Sequence, residues 1–400
     1  MLSSLYESLS CPFKAIHLQH NSYVYIRTYR FSRITIMNES NESIKLEGSM
    51  YTSVMTTTTL FVTLFWTTIT LLSWLLRNLL LWLFNSVNFT QTTTESTKSL
   101  INSKLLAKFP FVNIKNLIYD HRYLKPNLLL ALLDAVATIE LCACSLECWI
   151  VHEVFGYWGF LVAIALNCIR SSLFVSLDAY GNPCNPWYRF LLGQTQPIWL
   201  IFTWTLQLLS ASIALKLCIY WWSLQLTLYH SARYELSLKM LNPEDLLNYT
   251  SDLQVAVNIG FLCEALATFI DLYMDSLFSC ILESCNSQYL NHASQIVSST
   301  NLVQSKVSKA SSPCDLTRKQ YLTSYIVRLL IILTLVAYGL EWTGMYLNPA
   351  NAFIQSWGIG NITPINHIIV YWFGPMFGVW LYTIIEKWSS TFISKIIMTQ

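Results

Sequence analysis

Apolar residues run along this chain in long stretches broken by short polar segments, without the two-residue alternation of a half-buried strand. The runs fall at about 60–84, 127–151, 156–177, 197–222, 254–282, 321–341 and 366–387. Each approaches or exceeds the ~20 apolar residues that a helix needs to cross a hydrocarbon core of ~30 Å. The pattern predicts an all-α polytopic membrane protein. Two further segments begin like helices but are too short to span: Asn185 to Leu192 before Gly193, and Asn351 to Trp357 before Gly358. Each follows an Asn-Pro pair, Asn182-Pro183 and Asn348-Pro349. Asn is a favoured N-cap, and Pro at the first helical position has its φ preset and lacks an N–H that would be unpaired there. A half-helix of ~10 residues covers about half of the hydrocarbon core.

The spans are duplicated. Asp134-Ala135-Val136-Ala137-Thr138-Ile139 recurs as Glu264-Ala265-Leu266-Ala267-Thr268-Phe269, and each opens a half with three spans and one Asn-Pro box. An odd number of spans per half makes the halves insert upside down relative to one another. The two half-helices would then enter from opposite sides and aim two positive dipole ends and two asparagine amides at one point.

Composition agrees: 54% of residues are hydrophobic, 12% are charged, mean hydropathy is +0.43 and there are 15 Trp. A net charge of +2 points to no nucleic-acid partner. The domain reading is a polar, flexible tail over 1–56, an extra span over 57–84, a basic linker over 85–126, the core over 127–388 and a cytoplasmic tail over 389–400. The core divides into halves of about 127–222 and 254–388, the second carrying a Ser- and Asn-rich insertion, 283–320, read as disordered. A start before Met37 or Met50 would make part of the tail an over-extension. Arg77 in the extra span is expected to snorkel to the interface. The linker holds Lys98, Lys104, Lys108, Lys115, Arg122 and Lys125 against Glu95 and Asp120, which makes it cytoplasmic by the positive-inside rule. Counting spans from there puts 283–320 in the cytoplasm, and the sequons at Asn38, Asn41, Asn248 and Asn361 on the outer or lumenal side, with Asn88 opposite.

The boxes Asn182-Pro183-Cys184 and Asn348-Pro349-Ala350, each in the right interval between spans, resemble those of the aquaporin superfamily. Cys184 resembles the unorthodox, superaquaporin branch, whose first box often reads Asn-Pro-Cys, although Ile359 stands where that branch tends to carry a second cysteine. Tyr371-Trp372-Phe373-Gly374-Pro375 looks like the last membrane helix of the family, and Leu133 to Thr138 like its first core helix. The resemblance implies a fold of six core spans and two re-entrant half-helices around a pore lined by Asn182, Pro183, Cys184, Asn348, Pro349 and Ala350. It also implies a homotetramer in the lipid bilayer, with the endoplasmic reticulum or another intracellular membrane favoured over the plasma membrane. Water and small neutral solutes such as glycerol or hydrogen peroxide would pass without cofactor, metal or covalent chemistry. Water-selective members place an arginine directly after the second box. Here the residue is Asn351, which predicts a wider, uncharged selectivity constriction.

A carboxylate inside a span needs a partner, and Asp134 and Glu264 are read as structural acids that accept hydrogen bonds from the loop backbone. Glu264, Thr268, Asp271 and Asp275 share one helix face pointing into the bundle or a wet lumen, a stripe that an ion-coupled transporter would also use. Cys184 lines the lumen or fills space as Ala350 does. Tyr371, Trp372, Gly374 and Pro375 are read as packing and a kink. His121, His152, His230, His292 and His367 are scattered and read as interfacial or loop residues. Cys142, Cys144, Cys148, Cys168, Cys218 and Cys263 lie in apolar spans as small hydrophobes, with no disulfide framework and no metal-ligand spacing. No Ser/His/Asp constellation, phosphate-cradling loop or metallohydrolase motif argues for an enzyme. The rivals to a channel are a poorly conducting structural membrane protein and a small-solute transporter.

Overall fold

The computed structural model describes residues 48–89, 121–174, 179–239, 251–274, 276–277, 313–360 and 362–398, and helix is the only regular structure among them. The sequons Asn38, Asn41, Asn248 and Asn361, the carboxylate Asp275 and most of the linker and insertion lie outside the described residues. In chain order the helices are α1 (Gly48–Phe89), α2 (His121–Phe174), α3 (Cys184–Leu191), α4 (Pro197–Ser223) and α5 (Leu228–Lys239). They continue as α6 (Val257–Met274), α7 (Pro313–Thr343), α8 (Pro349–Ser356), α9 (Pro364–Ile368) and, after a π turn at Ile369–Phe373, α10 (Gly374–Met398). Six of them are long and apolar enough to cross a bilayer, as a polytopic membrane protein requires.

α1 begins at Gly48, inside the segment read as tail. Its polar first turns hold because Thr56, Thr57, Thr58 and Thr59 each return a hydroxyl to a carbonyl four residues back, which lets threonine sit in an apolar surround. α7 likewise begins at Pro313, inside the insertion. The apolar stretch Pro126–Ser172 of α2 has 47 residues, about 70 Å of helix, more than twice the hydrocarbon thickness. Gly156 reverses it, with φ 70° and ψ −162°, a region that only glycine enters cheaply. The arms fold back on each other: Asn167 Nδ2 lies 3.0 Å from Cys148 Sγ, and Arg170 bonds Glu140.

The core lies where α2, α4 and α1 meet. Cys142, Ala143, Cys144, Leu146 and Ile150 of α2 pack on Ala211, Ala214, Cys218 and Trp222 of α4 and on Val62, Phe65 and Ile69 of α1. Small Ala and Cys side chains let these backbones approach closely. Arg77 of α1 does not snorkel. It is 5% exposed and bonds Glu140, whose other carboxylate oxygen takes Arg170. The facing carboxylate lies in a different span and offers a nearer partner than the interface.

The histidines also depart from expectation. His230 and His367 are fully buried and His152 nearly so, while His121 and His292 offer no described side chain. His230 Nδ1 meets Thr227 Oγ1 at 2.6 Å, beside Glu147, which accepts Trp222 Nε1 at 2.5 Å. His367 packs between Trp357 and Tyr371 and meets the Ala352 carbonyl at 3.3 Å. The described cysteines are free thiols, and the expected kink near Gly374-Pro375 takes the form of the π turn.

Candidate functional site

The two short helices α3 and α8, of eight residues each, meet at their amino ends. Each end is tied by its own asparagine, but only Asn348 is the N-cap; in α3 that position is Pro183, one residue past Asn182. Asn348 Oδ1 accepts from Ala350 N at 3.0 Å and Asn351 N at 3.3 Å, an N-cap with Pro349 in the first turn. Asn182 Oδ1 accepts from Cys184 N at 3.0 Å. The amide nitrogens then cross over: Asn182 Nδ2 donates to the Leu347 carbonyl at 3.0 Å, and Asn348 Nδ2 to the Gly181 carbonyl at 3.2 Å. The six box residues are thus brought together, with Pro183, Cys184, Asn348, Pro349 and Ala350 buried and Asn182 partly so. Cys184 is 4% exposed, its sulfur 4.0 Å from the Leu347 carbonyl.

Gly181 makes the crossover reachable. Its φ is +67°, and a Cβ there would fall 2.6 Å from the Ala137 carbonyl carbon and the Thr138 nitrogen, so the loop lies flat on α2. Asp134, wholly buried, accepts the Gly181 N–H at 3.3 Å and pairs with Arg189 Nη2 at 2.9 Å. Trp204 Nε1 takes the Pro183 carbonyl at 2.9 Å and Trp187 Nε1 the Met376 carbonyl at 3.1 Å, which fixes α3 against α4 and α10.

The loop before α8 is more contorted. Met345 and Leu347 have φ of 48° and 49°, left-handed values that cost a residue with a Cβ of order 1 kcal/mol or more each. Glu264 holds them. Its carboxylate accepts Tyr346 N at 3.2 Å, Leu347 N at 3.0 Å and Thr343 Oγ1 at 2.7 Å. Thr343 in turn takes Met345 N at 3.1 Å, and Tyr371 OH bonds the Thr343 carbonyl at 2.8 Å. Of the helix face read from Glu264, Thr268 is buried and returns its hydroxyl to the Glu264 carbonyl, whereas Asp271 pairs with Arg328 at 3.4 Å. Beside this loop Asp252 accepts the Tyr346 hydroxyl at 2.5 Å, and burial pushes its carboxyl up to about 6 against the hydrogen bond.

One turn beyond the second box lies a ring that the sequence did not disclose. Asn351 Nδ2 donates to Ser145 Oγ at 3.0 Å; Gln355 Nε2 donates to the same oxygen at 3.1 Å and to Asn351 Oδ1 at 2.8 Å. Trp149 Nε1 closes the set on Gln355 Oε1 at 2.6 Å. Asn351 and Gln355 are i and i+4 on α8, and Ser145 and Trp149 are i and i+4 on α2, so two helix faces meet with matched polar teeth. That spacing was the available signal. Every member is neutral, so the ring offers donors and acceptors and no charge. Among the described residues no group of three or more His, Cys, Asp or Glu is placed to hold a metal.

No family model matches the chain. A curated relative, aquaporin-11 of the tardigrade Milnesium tardigradum, is 19% identical over 267 residues, which cover 66% of this chain and 77% of the relative. That similarity supports the aquaporin superfamily and points to a channel, not an enzyme, in a lipid bilayer.

Proposed function

We propose that the chain is a passive membrane channel for water and small neutral solutes, with glycerol and hydrogen peroxide as the candidates beyond water. The observation that carries it is the crossed pair of asparagine amides, Asn182 to Leu347 and Asn348 to Gly181. An amide NH2 has two donors, and each asparagine spends one on the opposite loop, leaving a second N–H for a passing oxygen. The opposed amino ends of α3 and α8 add roughly half a positive charge each, a barrier to protons and cations at the same point. With α2 counted as two passes the chain has six core spans behind α1, and α3 and α8 act as re-entrant half-helices in an inverted repeat. Pro183, Cys184, Pro349 and Ala350 belong to the pore wall, Asn351 to the selectivity constriction, and Asp134 and Glu264 to the struts that hold the loops. A homotetramer of the superaquaporin kind in the endoplasmic reticulum or another intracellular membrane completes the reading.

The test is stopped-flow swelling of proteoliposomes with water, glycerol and peroxide. A channel gives flux that rises in proportion to the gradient, a transporter saturates or needs an ion gradient, and a structural protein gives none. Asn351→Arg sharpens the outcome: the guanidinium must displace the bonds to Ser145 and Gln355 and brings a charge. Glycerol or peroxide flux is expected to fall several-fold more than water flux, a selectivity difference of about 1 kcal/mol in barrier. Equal ratios in both proteins would place the width of the pore elsewhere.

A further inference from the structure

Helix α1 touches α2 at two polar points. Trp66 Nε1 donates to the Cys144 carbonyl at 3.2 Å, and farther along α1 Arg77 bonds Glu140. The second point is a three-residue charge cluster, because Arg170 from the returning arm of α2 takes the other Glu140 oxygen and also lies 3.2 Å from Thr70 Oγ1 of α1. Beside these points Val62, Phe65 and Ile69 of α1 fill a groove floored by alanine and cysteine. α1 therefore has a fixed rotation and a fixed height against α2: the apolar groove alone would permit sliding, and the two directional bonds do not.

What α1 grips lies next to the ring. The carbonyl that takes Trp66 belongs to the peptide unit joining Cys144 to Ser145, and Ser145 is the hydroxyl on which Asn351 and Gln355 converge. Within one turn α2 thus offers the Cys144 carbonyl to α1 and the Ser145 hydroxyl to α8. A shift or rotation of this stretch moves the serine oxygen relative to both amides, and hydrogen bonds of 3.0 and 3.1 Å weaken steeply when misaligned.

Resting on the channel reading above, we propose that α1 is a positioning element of the constriction, not an appended membrane anchor: Trp66 and Arg77 fix the 140–145 stretch of α2, and Ser145 passes that register to the Asn351 and Gln355 amides. Trp66 and Arg77 touch no solute. Their effect is on which solutes pass.

The experiment is a double-mutant cycle in full-length protein reconstituted into proteoliposomes, read as the ratio of glycerol to water flux. Trp66→Phe keeps an aromatic ring in the groove and removes the N–H; Ser145→Ala removes the receiving hydroxyl. Each single variant is expected to change the ratio at least twofold, and the double variant to change it no more than Ser145→Ala alone, because the two act through one path. Arg77→Lys should stay near wild type and Arg77→Leu should shift the ratio in the same direction as Trp66→Phe. A wild-type ratio in Trp66→Phe, or effects of the two single variants that multiply, overturns the positioning role. Should the wild-type protein pass no solute, the channel reading fails by itself. The same cycle is then read in the melting temperatures of the four purified proteins, where non-additive shifts keep the coupling of α1 to the ring and additive shifts end it.

Discussion

The loops before the short helices α3 and α8 meet the same need with different chemistry. Before α3 the strut is Asp134, which takes the Gly181 N–H, also meets the Tyr180 backbone, and gives its other oxygen to the Arg189 guanidinium. Before α8 the strut is Glu264, which takes two backbone N–H groups and the Thr343 hydroxyl, with no cation among these partners. The extra methylene of glutamate accounts for part of this, since it carries the carboxylate far enough to straddle the Tyr346 and Leu347 amides. The first socket is thus a carboxylate shared between loop backbone and a guanidinium, and the second is a backbone and hydroxyl clamp around two left-handed residues. Nearly matching sequence positions in a duplicated chain therefore do not imply interchangeable energetics.

Substitutions that treat the sockets alike should separate them. The largest loss is expected for Glu264→Leu, which strands three donors at about 1–3 kcal/mol each and releases the strained loop. The measures are the melting temperature and the monodisperse yield of the purified protein, and no single change at Thr343 should restore either. Asp134→Leu comes next, at about 3–5 kcal/mol, because it takes from the largely buried Arg189 the carboxylate with which it pairs. Here a rescue exists: Asp134→Leu with Arg189→Met should recover most of the loss. Failure of that double variant, or recovery of Glu264→Leu by Thr343→Val, would erase the distinction between the sockets.

The smallest effect concerns pH and is read beside the second loop. Burial lifts the Asp252 carboxyl from an ordinary 3.8 to about 6, so the folded protein favours the protonated acid. That contribution to stability is complete below pH 3.8 and is lost as the pH rises through about 6. Thermal melts of wild type and Asp252→Asn between pH 4 and pH 7 should show a downward slope that the variant lacks. Equal slopes would mean that Asp252 ionises in the fold as freely as in the unfolded chain.

The legible parts of this molecule were those with a local or repeated signature. Long apolar runs announced the membrane helices, and the Asn-Pro pairs announced two helix starts, because capping is a matter of neighbouring residues. Asp134 and Glu264 stood out because the same six-residue phrase held both. The ring was hidden for the opposite reason: Ser145 and Asn351 are 206 residues apart, and neither is unusual where it stands. Arg77 was misplaced in the same way, since Glu140 lies 63 residues on and a lone arginine near a span end carries no mark of its partner. Buried histidines such as His230 and His367 give no periodicity to read; only the side chains that surround them decide whether water reaches the ring.

Gly156 has a consequence for how the chain is made. The two arms of α2 are joined at one residue with no intervening loop, so they form one tight hairpin, and Arg170 meets Glu140 across the bend. Because α1 is translated earlier, Arg77 spends the interval before that hairpin arrives without its carboxylate. The charge cluster is therefore complete only once α1 and both arms of α2 are in place.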